Sequence, residues 1–412
     1  MKNSWTGGQY SLFRTVFAIY LLIHFLHLLP WGTELFSNQG VLPRGAASPL
    51  LHLFPNLLAL SDSPATVTVL LAAAAVLSVF FGIGWYDRAA ALGLWYIWAC
   101  LFGRDPLIAN PSIPFVGWLL LAHVFLPPAP YGSWAARGRV DPGDGWRMPP
   151  AIFAAAWIVL ALGYTYSGYT KLVSPSWRDG TALARVLDNP LARPGWLRET
   201  LLGLPSWLLH LGTWTALAFE LAFAPLALMP RLRPWLWGMM LLMHLSLILL
   251  IDFADLSLGM VMIHLFTWDP GWVRPLPGST ERLFYDGHCG LCQRSVRLIL
   301  AEDATGAAFR FAPLQGETFA ALLSETERAA LPLSLVVRTE KGTLLTRSAG
   351  VLHIMRRLGG VWRLLAGVLV LLPPALRDRL YNGVAAIRLH LFAQPAELCP
   401  LMPPSLRARF DP

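Results

Sequence analysis

The stretch Arg282-Leu283-Phe284-Tyr285-Asp286-Gly287-His288-Cys289-Gly290-Leu291-Cys292 decides how the chain is read. Its first four residues form a short strand-like run, and an Asp-Gly turn signal follows. The two cysteines then open a segment expected to be helical over roughly 292–303. A CxxC pair on a strand-to-helix turn places its first thiol near a helix N-terminus, whose partial positive charge favours the thiolate. Cys289 is therefore expected to attack a disulfide, forming a mixed disulfide that Cys292 resolves. His288 adds cationic character when protonated. The rival reading is half of a zinc site, which needs two more ligands. Only His353, His390 and Cys399 follow, none in a paired motif, so redox chemistry is favoured and no metal is assigned.

Outward from the pair, Phe309–Ala312 and Leu335–Arg338 read as strands, with one amphipathic helix between them around 317–330. Strand, CxxC, helix and then further strands and helices is the order expected of a thioredoxin-like domain. Upstream, Pro275-Leu276-Pro277-Gly278-Ser279 marks a linker. Downstream, 361–392 is strongly apolar but carries Arg363, Arg377, Arg379 and Arg388. These residues are expected to form helices that pack on the domain or lie on a membrane surface, without spanning it.

The Tyr285-Asp286-Gly287-His288-Cys289-Gly290-Leu291-Cys292 run closely resembles the signature of the DCC family of thiol-disulfide oxidoreductases. Later stretches are similar as well: Arg310-Phe311-Ala312-Pro313-Leu314-Gln315, then Thr346-Arg347-Ser348, Val351–Gly360, Arg377-Asp378 and Tyr381. The resemblance covers about 280–412. It implies a thioredoxin-like fold, a redox-active disulfide, and Asp286 positioning the dithiol or moving its proton. Taken alone, Asp286 reads equally as an Asx turn or a helix cap.

The rest of the chain differs in kind. The 412 residues are 55% hydrophobic and 14% charged, where soluble domains run near 25% charged, so much of the chain is expected to face lipid. Of 18 Trp, only Trp362 lies beyond residue 280. A net charge of +8 comes without the basic-aromatic interleaving that nucleic-acid binding needs, so no nucleic-acid partner is expected. Spanning helices of about 20 residues are expected near 11–30, 65–85, 89–103, 112–127, 150–169, 207–229, 234–251 and 255–270, about eight in all. No cleavable signal is evident, and Ser11–Pro30 reads as a retained first helix. Such a chain fits the cell inner membrane. Arg137, Arg139 and Arg147 in one loop and Lys171, Arg178, Arg185, Arg193 and Arg198 in the next lie on opposite sides if the fifth segment spans, so orientation stays open. With an inside N-terminus and eight spans the CxxC domain is cytoplasmic.

Ionisable side chains inside apolar helices default to functional candidates. Here they are His24, His27, His123, Lys171, Glu220, His244, Asp252, Asp255 and His264. His24 and His27 share a face but have no carboxylate in their helix, so hydrogen-bonded core histidines are the favoured reading. Glu220, in mid-helix, must pair or stay protonated. Cys100 reads as a small apolar residue, and no role is assigned to Cys399. Lys171 closes Tyr164-Thr-Tyr-Ser-Gly-Tyr-Thr-Lys171-Leu and precedes Ser176-Trp177-Arg178-Asp179-Gly180. Together with Arg14, Glu220-Leu-Ala-Phe-Ala-Pro225 and His244, over about 8–272, this stretch resembles the HTTM, or vitamin K-dependent γ-carboxylase-like, family. That resemblance implies Lys171 as a base for a reduced quinone, with Glu220 and His244 as cofactor-binding candidates. The Asn-His pair of the carboxylase is missing around Asn110-Pro111-Ser112, and so is its large C-terminal region, which puts glutamate carboxylation in doubt.

The expected architecture is a mostly α membrane domain (1–274), a linker (275–280) and a small α/β thioredoxin-like domain (281–412). The expected function is a membrane oxidoreductase built on Cys289, Cys292 and Asp286. The fusion suggests coupling to a quinone or other lipid-soluble substrate held among lipid-facing helices. Two alternatives stand beside it: a Lys171-centred enzyme modifying a secreted peptide, protein or lipid, and a redox-sensing transporter or assembly factor.

Overall fold

A computed structural model describes residues 2–332, 334–392 and 402–412, so Cys399 lies outside the described residues. The chain is mostly helical, with one small mixed sheet in its C-terminal region. It divides into two compact units. One holds Phe13–Leu126 and Pro149–Trp268, and the other holds Lys2–Leu12, Pro127–Met148 and Asp269–Pro412. The C-terminal unit thus gathers two earlier stretches that the sequence places with the helices.

Each expected apolar segment is helical: Gly7–Leu28, Pro64–Ile83, Asp87–Arg104, Ile113–Val124, Pro150–Lys171, Ser206–Ala227, Arg233–Leu250 and Ala254–Thr267. Among the described residues, four single stretches are long and apolar enough to cross a membrane: Gly7–Phe36, Pro64–Ile83, Pro150–Lys171 and Arg233–Leu250. The count of eight is not reached. Ile113–Val124 and Ala254–Thr267 are short, Asp87–Arg104 carries three charges, and Ser206–Ala227 is interrupted by Glu220. In none of the four is more than 39% of the apolar window buried, and Ile19, Val69, Ile158 and Leu242 point outward from helix interiors. Large apolar side chains left uncovered along whole helices are what a lipid-facing surface requires. Gly360–Leu369 and Pro374–Arg388, expected not to span, together pass the same length-and-composition criterion but are bent by 117°, as in a broken span or a re-entrant loop.

Within the helical unit, buried charges are paired, as removal from water demands. Arg14, 1% exposed, lies 3.2 Å from Asp87, and His123 lies 3.4 Å from the same carboxylate. Arg104 meets Asp62 at 3.0 Å and donates to the Ser37 and Leu42 carbonyls. At Gly168 a Cβ would lie 2.8 Å from the Leu221 amide nitrogen. Glycine there lets Pro150–Lys171 and Ser206–Ala227 approach backbone to backbone.

In the C-terminal unit the strands are β1 (Glu281–Tyr285), β2 (Phe309–Pro313), β3 (Val336–Arg338) and β4 (Leu344–Thr346), in the order β2-β1-β3-β4. β1 and β2 are parallel, joined by the helix Gly290–Glu302, and the other two pairings are antiparallel. Leu283, Tyr285, Phe309, Phe311 and Val337 are fully buried on one face, with Val296, Ile299 and Ile354 packed on them. The single helix expected over 317–330 is two, Glu317–Leu322 and Glu325–Ala330. Ser324 restarts the chain with a capping box to Glu327. β4 was not read from the sequence.

Two further contacts close this unit. Glu302, at the end of its helix and 1% exposed, accepts from Thr6 Oγ1 (2.5 Å), the Gly8 amide (2.8 Å) and Trp362 Nε1 (2.7 Å). Burial pushes its carboxyl up despite these donors. The C-terminal residues lie along β2, with the Phe311 amide donating to Arg409 O and the Asp411 amide to Phe311 O. Arg310 and Arg282 hold the Asp411 carboxyl below the usual range, with Arg310 the larger effect. A depressed carboxyl adds stability above its unfolded pKa, near ~4, and loses it as pH falls through the folded value. Hydrogen exchange at the Phe311 amide should therefore rise as pH drops below about 4, relative to the intrinsic rate. The rise should be weaker in Asp411→Asn, and identical profiles for the two proteins would refute this account.

Candidate functional site

β1 ends at Tyr285, and the chain turns through Asp286–His288 into the helix Gly290–Glu302. Cys289 is the N-cap, and its Sγ accepts the Cys292 amide at 3.3 Å. The sulfur thus occupies the place where a helix N-terminus offers an unsatisfied N–H. Both cysteines are free thiols; Cys289 is fully buried and Cys292 half-buried. Burial, followed by the hydrogen bond and charge of Cys289, pushes the Cys292 thiol well up. Arg388 opposes this shift, while Asp286 adds to it. The pair therefore accommodates one negative charge far more readily than two.

Asp286 carries out the turn role. Its Oδ1 accepts the His288 amide at 3.1 Å, an Asx turn, and also Gln315 Nε2 at 3.0 Å. Its main-chain carbonyl accepts the Cys289 amide at 3.2 Å. Gln315 grips the loop a second time, its Oε1 accepting the Gly287 amide at 3.2 Å, while Gln293 Nε2 donates to Gly287 O at 2.9 Å. The helix Pro374–Leu391 packs beside the dithiol helix. It is held by Asp378 to Ser348, by Tyr381, whose oxygen accepts the Leu335 amide (3.2 Å), and by Arg388, 3.9 Å from Asp286 Oδ2. The sequence pointed to the thiols and Asp286. It gave Gln315, Tyr381 and Arg388 no role at the dithiol, because only the fold carries them to the turn. Among the described residues no group of three or more His, Cys, Asp or Glu gathers as a metal would need.

In the helical unit the other candidates fall into two groups. Lys171 Nζ forms an ion pair with the buried Glu220 carboxylate and sits 4.6 Å from the Trp177 ring centroid. His244 belongs to a hydrogen-bonded chain instead. Its Nε2 is 2.9 Å from Tyr164 Oη, which is 3.1 Å from His264 Nε2, and His264 Nδ1 is 2.8 Å from Met260 O. A carbonyl only accepts, so His264 donates from Nδ1, accepts from Tyr164 at Nε2, and leaves Tyr164 to accept from His244. Tyr164 and His264 are thus partners of His244 that spacing along the sequence did not join.

A dithiol on the first βα turn of a parallel βαβ unit, one sulfur capping the helix, defines a thiol-disulfide exchange domain. Residues 283–394 match the DCC1-like thiol-disulfide oxidoreductase family. The uncharacterized protein YuxK of Bacillus subtilis is 33% identical over 130 residues, which are 32% of this chain and 93% of that protein. A chloroplastic DCC family protein of Arabidopsis thaliana is 33% identical over 128 residues, 30% of this chain and 74% of its own length. The chain belongs to the DCC1-like family through this domain. No solved structure matches it.

The shift at Cys292 has a direct readout. Iodoacetamide labelling at Cys292, followed by mass spectrometry from pH 6 to 10, should move to lower pH in Cys289→Ser, because the charge of the Cys289 sulfur is removed. It should move to higher pH in Arg388→Ala. An unchanged profile in Cys289→Ser would contradict the coupling of the two thiols.

Proposed function

We propose that the chain is an integral membrane thiol-disulfide oxidoreductase whose working pair is Cys289 and Cys292. The observation that supports this most is the Cys289–Cys292 pair, with Cys289 capping a helix, in a DCC domain of a chain whose described residues include four stretches long and apolar enough to span a membrane. The Cys289 thiolate attacks a substrate disulfide; one S–S bond breaks, and the departing sulfur takes a proton. Cys292 then gives up its proton and attacks the Cys289 sulfur, releasing the second substrate thiol and closing the enzyme disulfide. Two electrons pass from the dithiol to the substrate. Asp286, within reach of Arg388 and electrostatically coupled to Cys292, is the group to take that proton. Cys289 has no exposed surface, so attack requires the turn, or the helix beside it, to open.

The resemblance of 8–272 to the carboxylase-like family supports a quinone as the electron partner: dithiol plus quinone gives disulfide plus hydroquinone, with atoms and charge balanced. A second reading, a Lys171-centred enzyme acting on a secreted peptide or lipid, draws on the buried Lys171–Glu220 pair. It requires Lys171 to leave Glu220 before acting as a base.

The deciding assay uses the full chain in lipid nanodiscs with a fluorescent disulfide peptide, and in parallel with ubiquinone or menaquinone. Cys289→Ser and Cys292→Ser should each bring turnover to the uncatalysed background. Turnover retained by Cys289→Ser overturns the proposal, and product lost only in Lys171→Ala favours the second reading. Thiol labelling of the half-buried Cys292 in intact and permeabilised cells assigns the side of the membrane on which the pair lies.

A further inference from the structure

The helical unit contains a cavity of about 780 Å³ that neither reading above uses. Its wall is mostly aliphatic and aromatic, with Phe36, Trp98, Phe102 and Phe253 among the lining side chains. Ile19 and Ile23, on the outward flank of the first helix, also line it and are 51% and 61% exposed. An exposed apolar flank therefore borders the opening. A cavity of this volume holds a molecule of drug or lipid-headgroup size.

One polar cluster stands inside it. Asp255 Oδ1 accepts from Tyr20 Oη at 3.1 Å and lies 2.9 Å from His24 Nδ1. A carboxylate only accepts, so Nδ1 carries a proton, and in the neutral imidazole Nε2 then presents a lone pair. Carboxylate and tyrosine thereby fix both the ring and its tautomer, as a ligand-orienting second partner does. Trp98 packs on the same ring with centroids 4.8 Å apart. Among the described residues Nε2 has no hydrogen-bond partner. At the rim Arg193 meets Asp252 at 3.5 Å, so its charge is already paired. This balance disfavours an anionic head group such as a phosphate or a fatty-acid carboxylate.

We propose that this cavity binds a neutral, lipid-soluble phenol whose hydroxyl donates to His24 Nε2 and whose ring lies among the aromatic walls. An acceptor held by a carboxylate in an apolar pocket discriminates strongly against a ligand without a donor, because the acceptor is then left unpaired. The proposal does not depend on the dithiol chemistry; it concerns a separate site with its own readout.

The test measures binding of radiolabelled 4-octylphenol and of its methyl ether, 4-octylanisole, to the full chain in phosphatidylcholine nanodiscs, with empty discs subtracted. The wild type should bind the phenol saturably and about tenfold more tightly than the ether. Decanoate should not displace it. His24→Phe should level the two affinities while still binding the ether, which shows that the cavity has survived. Equal affinities in the wild type, or displacement by decanoate, would overturn the proposal whether or not the variant folds. So would a preference that persists in His24→Phe, and 1-decanol binding as tightly as the phenol would remove the aromatic class.

Discussion

Taking a charge out of water requires a partner, and that constraint organises both units of this protein. Among apolar helices it appears as Arg14–Asp87, Arg104–Asp62 and Lys171–Glu220. In the C-terminal unit it appears at Glu302, a carboxylate buried with three donors aimed at it. Such pairs add little net stability over well-packed apolar groups. What they add is position, because removing either partner leaves a buried charge alone. Glu302 receives the first turn of the helix Gly7–Leu28, where the unsatisfied N–H groups favour an anion. A Cβ at Gly8 would collide with its carboxylate.

The dithiol obeys the same rule on a smaller scale. Burial, and after it the neighbouring Cys289 sulfur, holds the proton on Cys292. This asymmetry suits exchange chemistry, which needs one nucleophile and one thiol kept in reserve. The turn that carries the pair is fastened from outside itself: Gln315 follows β2, and Arg388 belongs to a helix nearly a hundred residues away. The cost is access, since Cys289 is fully covered. The grip that sets the geometry is also what an incoming disulfide must loosen.

The expectations and the structure part company where contact between distant segments decides the outcome. All eight apolar segments are helical, because a long apolar run has few other ways to satisfy its backbone. How many cross a bilayer does not follow from that, since short or charge-bearing helices can be apolar without being long enough. The helix expected over 317–330 breaks because Ser324 caps a new start, a signal present in the sequence and outweighed there by amphipathic periodicity. His24 and Asp255 were each visible as ionisable groups in apolar surroundings. Only the packing joins them, across 231 residues, with Tyr20 as a third member.

The sequence by itself determined the local chemistry: CxxC on a strand-to-helix turn, an Asp-Gly turn before it, and apolar runs long enough for membrane helices. These are statements about neighbours along the chain, where spacing dictates geometry. Tertiary structure alone decided which thiol is covered, which guanidinium faces Asp286, that Lys171 finds Glu220, and that His244 answers to Tyr164 and His264 instead. Those pairings join residues tens to hundreds of positions apart, and their energetics depend on burial, which no local pattern specifies.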